Sequence, residues 1–225
     1  MKKYFVVVCV ALLNITGSLF AQSPLRFAKD VNTIREFDKM YEAPEHPILF
    51  VGSSSIRKWD DLERNFSRYV VLNRGIGGAE TNDITYFARD IIFPYQPRQI
   101  VIYVGENDLT NEAATADTLL QRFKILYTTI RSKLPEVPVV YISMKPSPSR
   151  EKFFQKAKQS NALIKDYISK EKNIRYVDIF SLMLDKAGKP RRELFVEDML
   201  HMNKAGYAIW EKAVQPLLLK RQTGK

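Results

Sequence analysis

Gly52-Ser53-Ser54-Ser55 follows the apolar run Ile48 to Val51 and sets three hydroxyls side by side. A serine hydroxyl becomes an effective nucleophile near neutral pH when a general base stands beside it, and histidine is the side chain suited to that task. The sequence holds two histidines. His46 immediately precedes Pro47, at the start of the first apolar run, whereas His201 lies beyond the last one, after the segment Phe195 to Leu200. Asp198 stands three residues before His201, a spacing at which a turn brings carboxylate to imidazole, where it would fix the tautomer and stabilise the imidazolium. Capping of a helix that begins at Asn203 is the competing role for Asp198, and an incidental surface position the competing one for His201. Two further runs of glycine with small polar residues, Gly75-Ile76-Gly77-Gly78 and Gly105-Glu106-Asn107-Asp108, also close apolar segments.

The elements that must position these residues alternate between short apolar strands and amphipathic segments, the pattern of a parallel sheet covered by helices on both faces. Five strands are predicted: Ile48 to Val51, Tyr69 to Asn73, Gln99 to Val104, Val137 to Met144 and Ile174 to Ile179. Leu119, Phe123, Leu126, Ile130 and Leu134 recur at three- and four-residue steps and build one helical stripe, which Pro135 and Pro138 close. Further helices are expected over Ala28 to Tyr41, Thr81 to Ile92, Glu151 to Lys170 and Asn203 to Leu219. The polar end, Lys220 to Lys225, is expected to fray.

An open parallel sheet binds ligands beyond the carboxyl ends of its strands. All three glycine runs fall there, and so does His201, whereas His46 falls at the opposite, amino edge. His201 is therefore the base expected for the serine. Glycine permits sharp turns and close backbone approach to a ligand. Each run alone is weak, because such turns use the same residues for capping; three successive strands repeating it carry the inference.

Composition limits the alternatives. The 225 residues suffice for one domain with one substantial core, and 45% hydrophobic with 27% charged content is ordinary for a globular chain. Residues 1–21 differ: Lys2 and Lys3 precede the apolar run Phe5 to Leu13, and Ala21 offers a small residue for cleavage, as in a secretory signal peptide. That run is shorter than the roughly 20 residues of a membrane span. Export to the periplasm or medium, with residues 22–225 as a single domain and no stable membrane insertion after cleavage, is the expectation. Cys9, the single cysteine, lies inside this leader, so the mature chain would contain no disulfide and no thiolate site. Val8 before it is a poor match to a lipid-attachment motif. The net charge of +10 falls to +8 when Lys2 and Lys3 are removed. Basic residues are interspersed with acidic ones and form no aromatic-basic platform, which argues against nucleic acid as a partner.

Neither Gly-x-x-x-x-Gly-Lys-Ser/Thr nor Gly-x-Gly-x-x-Gly occurs, so the Gly75 to Gly78 run is not read as a nucleotide cradle. Glu106, Asp108 and Asp83 are acidic, yet no histidine or cysteine joins them, and no metal or cofactor is expected. Gly-x-Ser-x-Gly is missing around Ser54, which argues against an α/β-hydrolase elbow.

In four separated blocks, ILFVGSSSI, NRGIGG, VGEND and DMLH, the chain resembles the SGNH hydrolase superfamily, the GDSL esterases and lipases. The resemblance spans most of the mature chain. It implies a three-layer α/β/α sandwich, flavodoxin-like, with a five-stranded parallel sheet, and ester hydrolysis without metal or cofactor. It aligns Ser54 with the nucleophile, Gly78 and Asn107 with oxyanion-hole donors beside the backbone N–H of Ser54, and Asp198 and His201 with the rest of a triad. Where the family usually has Gly-Asp-Ser, this chain has Ser53 in place of the aspartate, which puts the hydrogen bonding of that turn in question. Strand alternation and the family register favour Ser54, leave Ser53 as second choice and make Ser55 a cap of the following helix.

The expected activity is that of an exported serine esterase acting on short-chain or O-acetyl esters of small molecules or carbohydrates. A transfer of acyl groups to envelope polysaccharide, a lysophospholipase-like lipid esterase and a non-catalytic carbohydrate-binding relative are the alternatives. No long apolar lid-like insertion is present to favour a lipid substrate. The segment Met144 to Arg150 follows the fourth strand and is expected to border the cleft, where Lys145 or Arg150 would meet an anionic or sugar substrate; a rigid solvated loop is the competing and favoured account. Nothing in the sequence sets the oligomeric state.

Overall fold

A computed structural model describes residues 26–220. The expected leader, residues 1–21, and the chain end beyond residue 220 lie outside them. Five strands, β1 (Ile48–Gly52), β2 (Val71–Gly75), β3 (Gln99–Tyr103), β4 (Val139–Ile142) and β5 (Ile174–Val177), form one all-parallel sheet in the order β2-β1-β3-β4-β5. Helices in chain order are α1 (Ala28–Met40), α2 (Ser54–Arg57), α3 (Leu62–Asn65), α4 (Thr81–Tyr86), α5 (Ala88–Ile91), α6 (Ala116–Lys133), α7 (Phe154–Ser169), α8 (Ile179–Leu182) and α9 (Lys204–Val214). Among the described residues no helix is long and apolar enough to cross a membrane.

Successive strand residues face opposite sides, so each strand feeds two cores. Leu49, Val51, Ile100, Ile102, Val139 and Tyr141 pack with α1 and α4 to α7. Ile48, Phe50, Val101, Tyr103, Val140 and Ile142 face the other layer, against Trp59, Phe66, Trp210 and Val214. The predicted three-layer sandwich is the observed one. The aromatic cluster of the second layer lies beneath α2: the ring centroids of Phe50 and Trp59 are 5.8 Å apart and those of Trp59 and Trp210 5.9 Å.

Element ends moved for local reasons. The second strand begins at Val71 rather than Tyr69, because the Tyr69 N–H closes a turn onto the Phe66 carbonyl at 2.8 Å. Thr81 to Ile92 breaks into α4 and α5 at Phe87, whose φ of −88° and ψ of 7° leave the helical region. A 3₁₀ turn, Pro148–Phe153, replaces the first residues predicted for α7, with Arg150 non-helical inside it. At the end, α9 stops at Val214 and Pro216 occupies a further 3₁₀ turn.

Candidate active site

The register of the sheet gathers the three glycine runs. Gly52 at the end of β1 is opposite Gly75 of β2 on one side and Tyr103 of β3 on the other. The three turns that follow therefore leave the same edge side by side. Gly52 has φ +146°, and a Cβ there would lie 1.8 Å from the Tyr103 carbonyl oxygen, so no other residue fits this close approach.

Beyond it, Ser53 occupies the N-cap position of α2 and Ser54 its first residue. The Ser53 carbonyl accepts from the N–H groups of Ile56 and Arg57, at 3.0 and 3.1 Å, and the Ser53 N–H donates to Tyr103 O at 3.0 Å. The turn is thus closed by backbone, and Ser53 contributes no side-chain cap. Asn73 Nδ2 donates to Ile56 O at 2.7 Å and the Tyr207 hydroxyl to Ser55 O at 3.0 Å, which clamps α2 from both sides. The expectation that Ser55 caps the helix fails: its Oγ is buried with no hydrogen-bond partner among the described residues, because the residue lies one position inside α2 rather than before it.

Ser54 Oγ lies 3.0 Å from His201 Nε2, and His201 Nδ1 lies 2.5 Å from Asp198 Oδ2. A carboxylate accepts only, so Nδ1 carries the proton and Nε2 presents its lone pair to the serine hydroxyl. The other Asp198 oxygen accepts from the backbone N–H groups of His201 and Leu200, at 2.8 and 2.9 Å. Partial burial pushes the Asp198 carboxyl up, but the bonds from the His201 ring, His201 N and Leu200 N outweigh it and hold the group well below the usual carboxylate range. Asp198 does not cap α9; Asn203 does, accepting from Ala205 N at 2.9 Å and Gly206 N at 3.2 Å. His46 is at the amino edge, its Nδ1 2.9 Å from Gln96 O.

Gly78 and Asn107 come together beside this chain of bonds. Asn107 Nδ2 donates to Ala79 O at 2.9 Å, which leaves its second N–H free of protein acceptors among the described residues. Gly78 has φ +80°, and the nearest atom to a Cβ there would be the Phe27 ring at 3.8 Å; the backbone angle, not crowding, requires glycine. Arg26 donates to Gly78 O at 2.8 Å and pairs with Glu80 at 3.0 Å, fixing this loop. Neither the Ser54 nor the Gly78 backbone N–H has a protein acceptor among the described residues.

The acidic residues of the third block serve the framework. Asp108, fully buried, accepts from Thr81 N at 3.0 Å, Thr81 Oγ1 at 3.2 Å and Arg122 at 2.7 Å; burial outweighs these bonds and raises its carboxyl. Glu106 is buried against Lys145, Tyr103 and Ser147, with the Tyr103 hydroxyl at 2.7 Å. Asp83 accepts from Glu80 N at 2.8 Å.

Lys145, expected near the cleft, is instead withdrawn beneath it, with its side chain 1% exposed. It satisfies a carboxylate, and burial lowers its own pKa despite that partner. Arg150 does reach the cleft, with a guanidinium nitrogen 3.4 Å from Asn107 Oδ1. Lys58 escaped the sequence reading. Its Nζ lies 3.3 Å from His201 Nδ1, and its position four residues after Ser54, one turn along the helical segment, was the available signal.

The parallel α/β/α sandwich thus carries serine, histidine and aspartate in one chain of hydrogen bonds at the carboxyl edge of its sheet. The chain belongs to the GDSL-like lipase/acylhydrolase family, whose pattern it matches over residues 49–209, and it is a carboxylic ester hydrolase. No curated protein sequence matches it. Solved structures share the fold. The proposed platelet activating factor of Streptococcus pneumonia is 20% identical with a TM-score of 0.75, covering 85% of this chain and 92% of its own. A GDSL-like lipase from Bacteroides thetaiotaomicron is 20% identical, TM-score 0.72, with 84% and 96% covered. An acetylxylan esterase from Geobacillus stearothermophilus is 12% identical, TM-score 0.63, with 82% and 100% covered.

Proposed function

We propose that the chain is an exported serine esterase in which Ser54 is the nucleophile, His201 the general base and Asp198 the residue that orients and stabilises the imidazolium. The 3.0 Å approach of Ser54 Oγ to His201 Nε2, with Nδ1 held by Asp198, carries this reading. His201 takes the serine proton as Oγ attacks the ester carbonyl. The resulting oxyanion is met by the N–H groups of Ser54 and Gly78 and the side-chain amide of Asn107. Collapse expels the alcohol, protonated by His201; the same base then takes a proton from water as the water attacks the acyl-enzyme, and returns it to Ser54 Oγ as the acid leaves.

The substrates proposed are short-chain or O-acetyl esters, including those on carbohydrates. A recess of about 420 Å³ beside Asp198, lined by Arg150 and Leu200 rather than by Ser54, has room for a small group or one sugar flanking the ester, and the fold is shared with an acetylxylan esterase. Export rests on the leader at residues 1–21; N-terminal sequencing of protein recovered from the cell envelope or medium tests it, and an intact Met1 there would refute cleavage.

The deciding experiment compares wild type with Ser54→Ala on nitrophenyl acyl esters and acetylated polysaccharide. Release of nitrophenol or acetate by wild type and its loss in the variant is the expected outcome. Equal turnover by both would overturn the assignment of Ser54, and capture of the acyl group by an added sugar ahead of water would make the protein a transferase.

A further inference from the structure

Among the buried or half-buried cations, Arg74, Arg122 and Lys145 are paired with Asp38, Asp108 and Glu106, while Arg131 and Lys156 are each held by two or more backbone carbonyls. Arg150 has none within 4 Å among the described residues, although it is half-buried at the edge of the active site. Its single side-chain hydrogen bond is the long one, 3.4 Å, to the neutral oxygen of Asn107, which leaves most of its five N–H donors for something else. Its position is fixed by backbone. The Arg150 N–H donates to Ser147 O at 2.9 Å, and Ser149 N donates to Met199 O at 3.0 Å, inside the loop that carries Asp198 and His201.

Arg150 and Lys152 line the recess beside Asp198, with the hydroxyl residues Thr110 and Ser149. Asp198 is the carboxylate of that wall, and both its oxygens are engaged by His201 and Leu200. Glu112 reaches Lys152 at 3.4 Å, but both side chains are largely exposed, where such a pair is weak and screened. Lys58 is exposed beside His201 and also has no carboxylate within 4 Å among the described residues. Because the Nδ1 N–H is directed at Asp198, the ring offers Lys58 no acceptor there, and Lys58 is a cation at the cleft rather than a hydrogen-bond donor to the ring.

We infer that the ester this site selects carries an anionic group close to the ester linkage, and that Arg150 is its specificity-determining residue, with Lys58 beside His201 adding attraction. The inference rests on the serine-esterase reading above. A neutral ester would leave the Arg150 fork to water, whereas an anion would receive paired, charge-assisted hydrogen bonds and be steered in from solution by both cations.

The test uses matched pairs that differ only in charge. Mono-4-nitrophenyl succinate against its methyl ester places the carboxylate on the acyl part; 3-acetoxybenzoate against its methyl ester places it on the alcohol part. In wild type, at least one acid is expected to exceed its methyl ester roughly 10- to 100-fold in kcat/KM, and the preference is expected to shrink as salt rises. Arg150→Gln should collapse that ratio, with Arg150→Lys restoring part of it. No preference for either acid in wild type would overturn the inference. So would an Arg150→Gln variant that loses the same factor on acid and methyl ester, since that is the behaviour of a residue that only holds Asn107. Loss of methyl-ester turnover in Ser54→Ala tests the esterase reading separately from the charge preference.

Discussion

Glu106 and Lys145 form an ion pair whose side chains are 5% and 1% exposed, directly beneath the turn that carries Asn107. Glu106 belongs to the turn after β3 and Lys145 to the chain leaving β4, so the pair ties together two of the turns that border the cleft. Ser147 and Tyr103 complete the coordination of the carboxylate. Four polar groups are thereby satisfied out of contact with water, which is the condition for tolerating buried charge.

Removing one partner of this pair should be costly. Lys145→Met leaves a buried carboxylate without its cation and is expected to lower stability by about 3 to 5 kcal/mol. Adding Glu106→Gln should recover much of that loss. Urea midpoints of the two single variants and the double variant measure the coupling; additive losses would mean the pair contributes no interaction of its own.

Asn107→Ala tests the oxyanion pocket. The side chain touches Ala79 and Arg150 at the surface of the cleft, so the variant should fold, with turnover falling roughly 100- to 1,000-fold and KM changing less. Wild-type turnover in a folded Asn107→Ala protein would remove it from the oxyanion set.

Asp198 sets a pH dependence whose sign follows from its depressed pKa. The folded group binds its proton less readily than the unfolded one, with a reference value of 3.8, so its contribution to stability is complete above that range and is lost as pH falls through the lower folded value. Its side chain is 46% exposed, which limits the contribution to about 1 kcal/mol. The melting temperature of Asp198→Asn should therefore trail wild type by a few degrees at pH 7, and by less at pH 3. A constant gap would show that the effect is not electrostatic. Its activity should fall far more, about 10⁴-fold, since the amide favours the wrong tautomer of His201.

Gly52→Ala is expected to prevent folding or destabilise the sheet by more than about 4 kcal/mol. The new methyl would occupy the position of Tyr103 O, and backbone cannot yield as a flexible side chain does. Far-UV circular dichroism and solubility of the expressed protein check this; a folded variant of near-normal stability would require the β1–β3 spacing to be softer than described.

Much of the site was legible because a parallel sheet converts chain order into position. Apolar runs marked the strands, and the residues after each run had to emerge at one edge; with two histidines, one at each edge, the choice of His201 followed. Element ends were less legible, since the Tyr69 turn and the break at Phe87 depend on single backbone bonds that periodicity does not register.

The sequence by itself determined the alternation of strands and helices, the edge at which Ser54, Gly78, Asn107, Asp198 and His201 collect, and the four blocks that place the chain in its family. Those are properties of residue type and order along the chain. Tertiary structure alone decided which charges face the cleft. Lys145 and Arg150 lie five residues apart in one loop, yet one is buried on Glu106 and the other stands unpaired beside Asn107. Whether a cation is neutralised depends on which carboxylate the fold brings within a few ångströms of it, and that distance is set by packing between strands, not by spacing in the sequence.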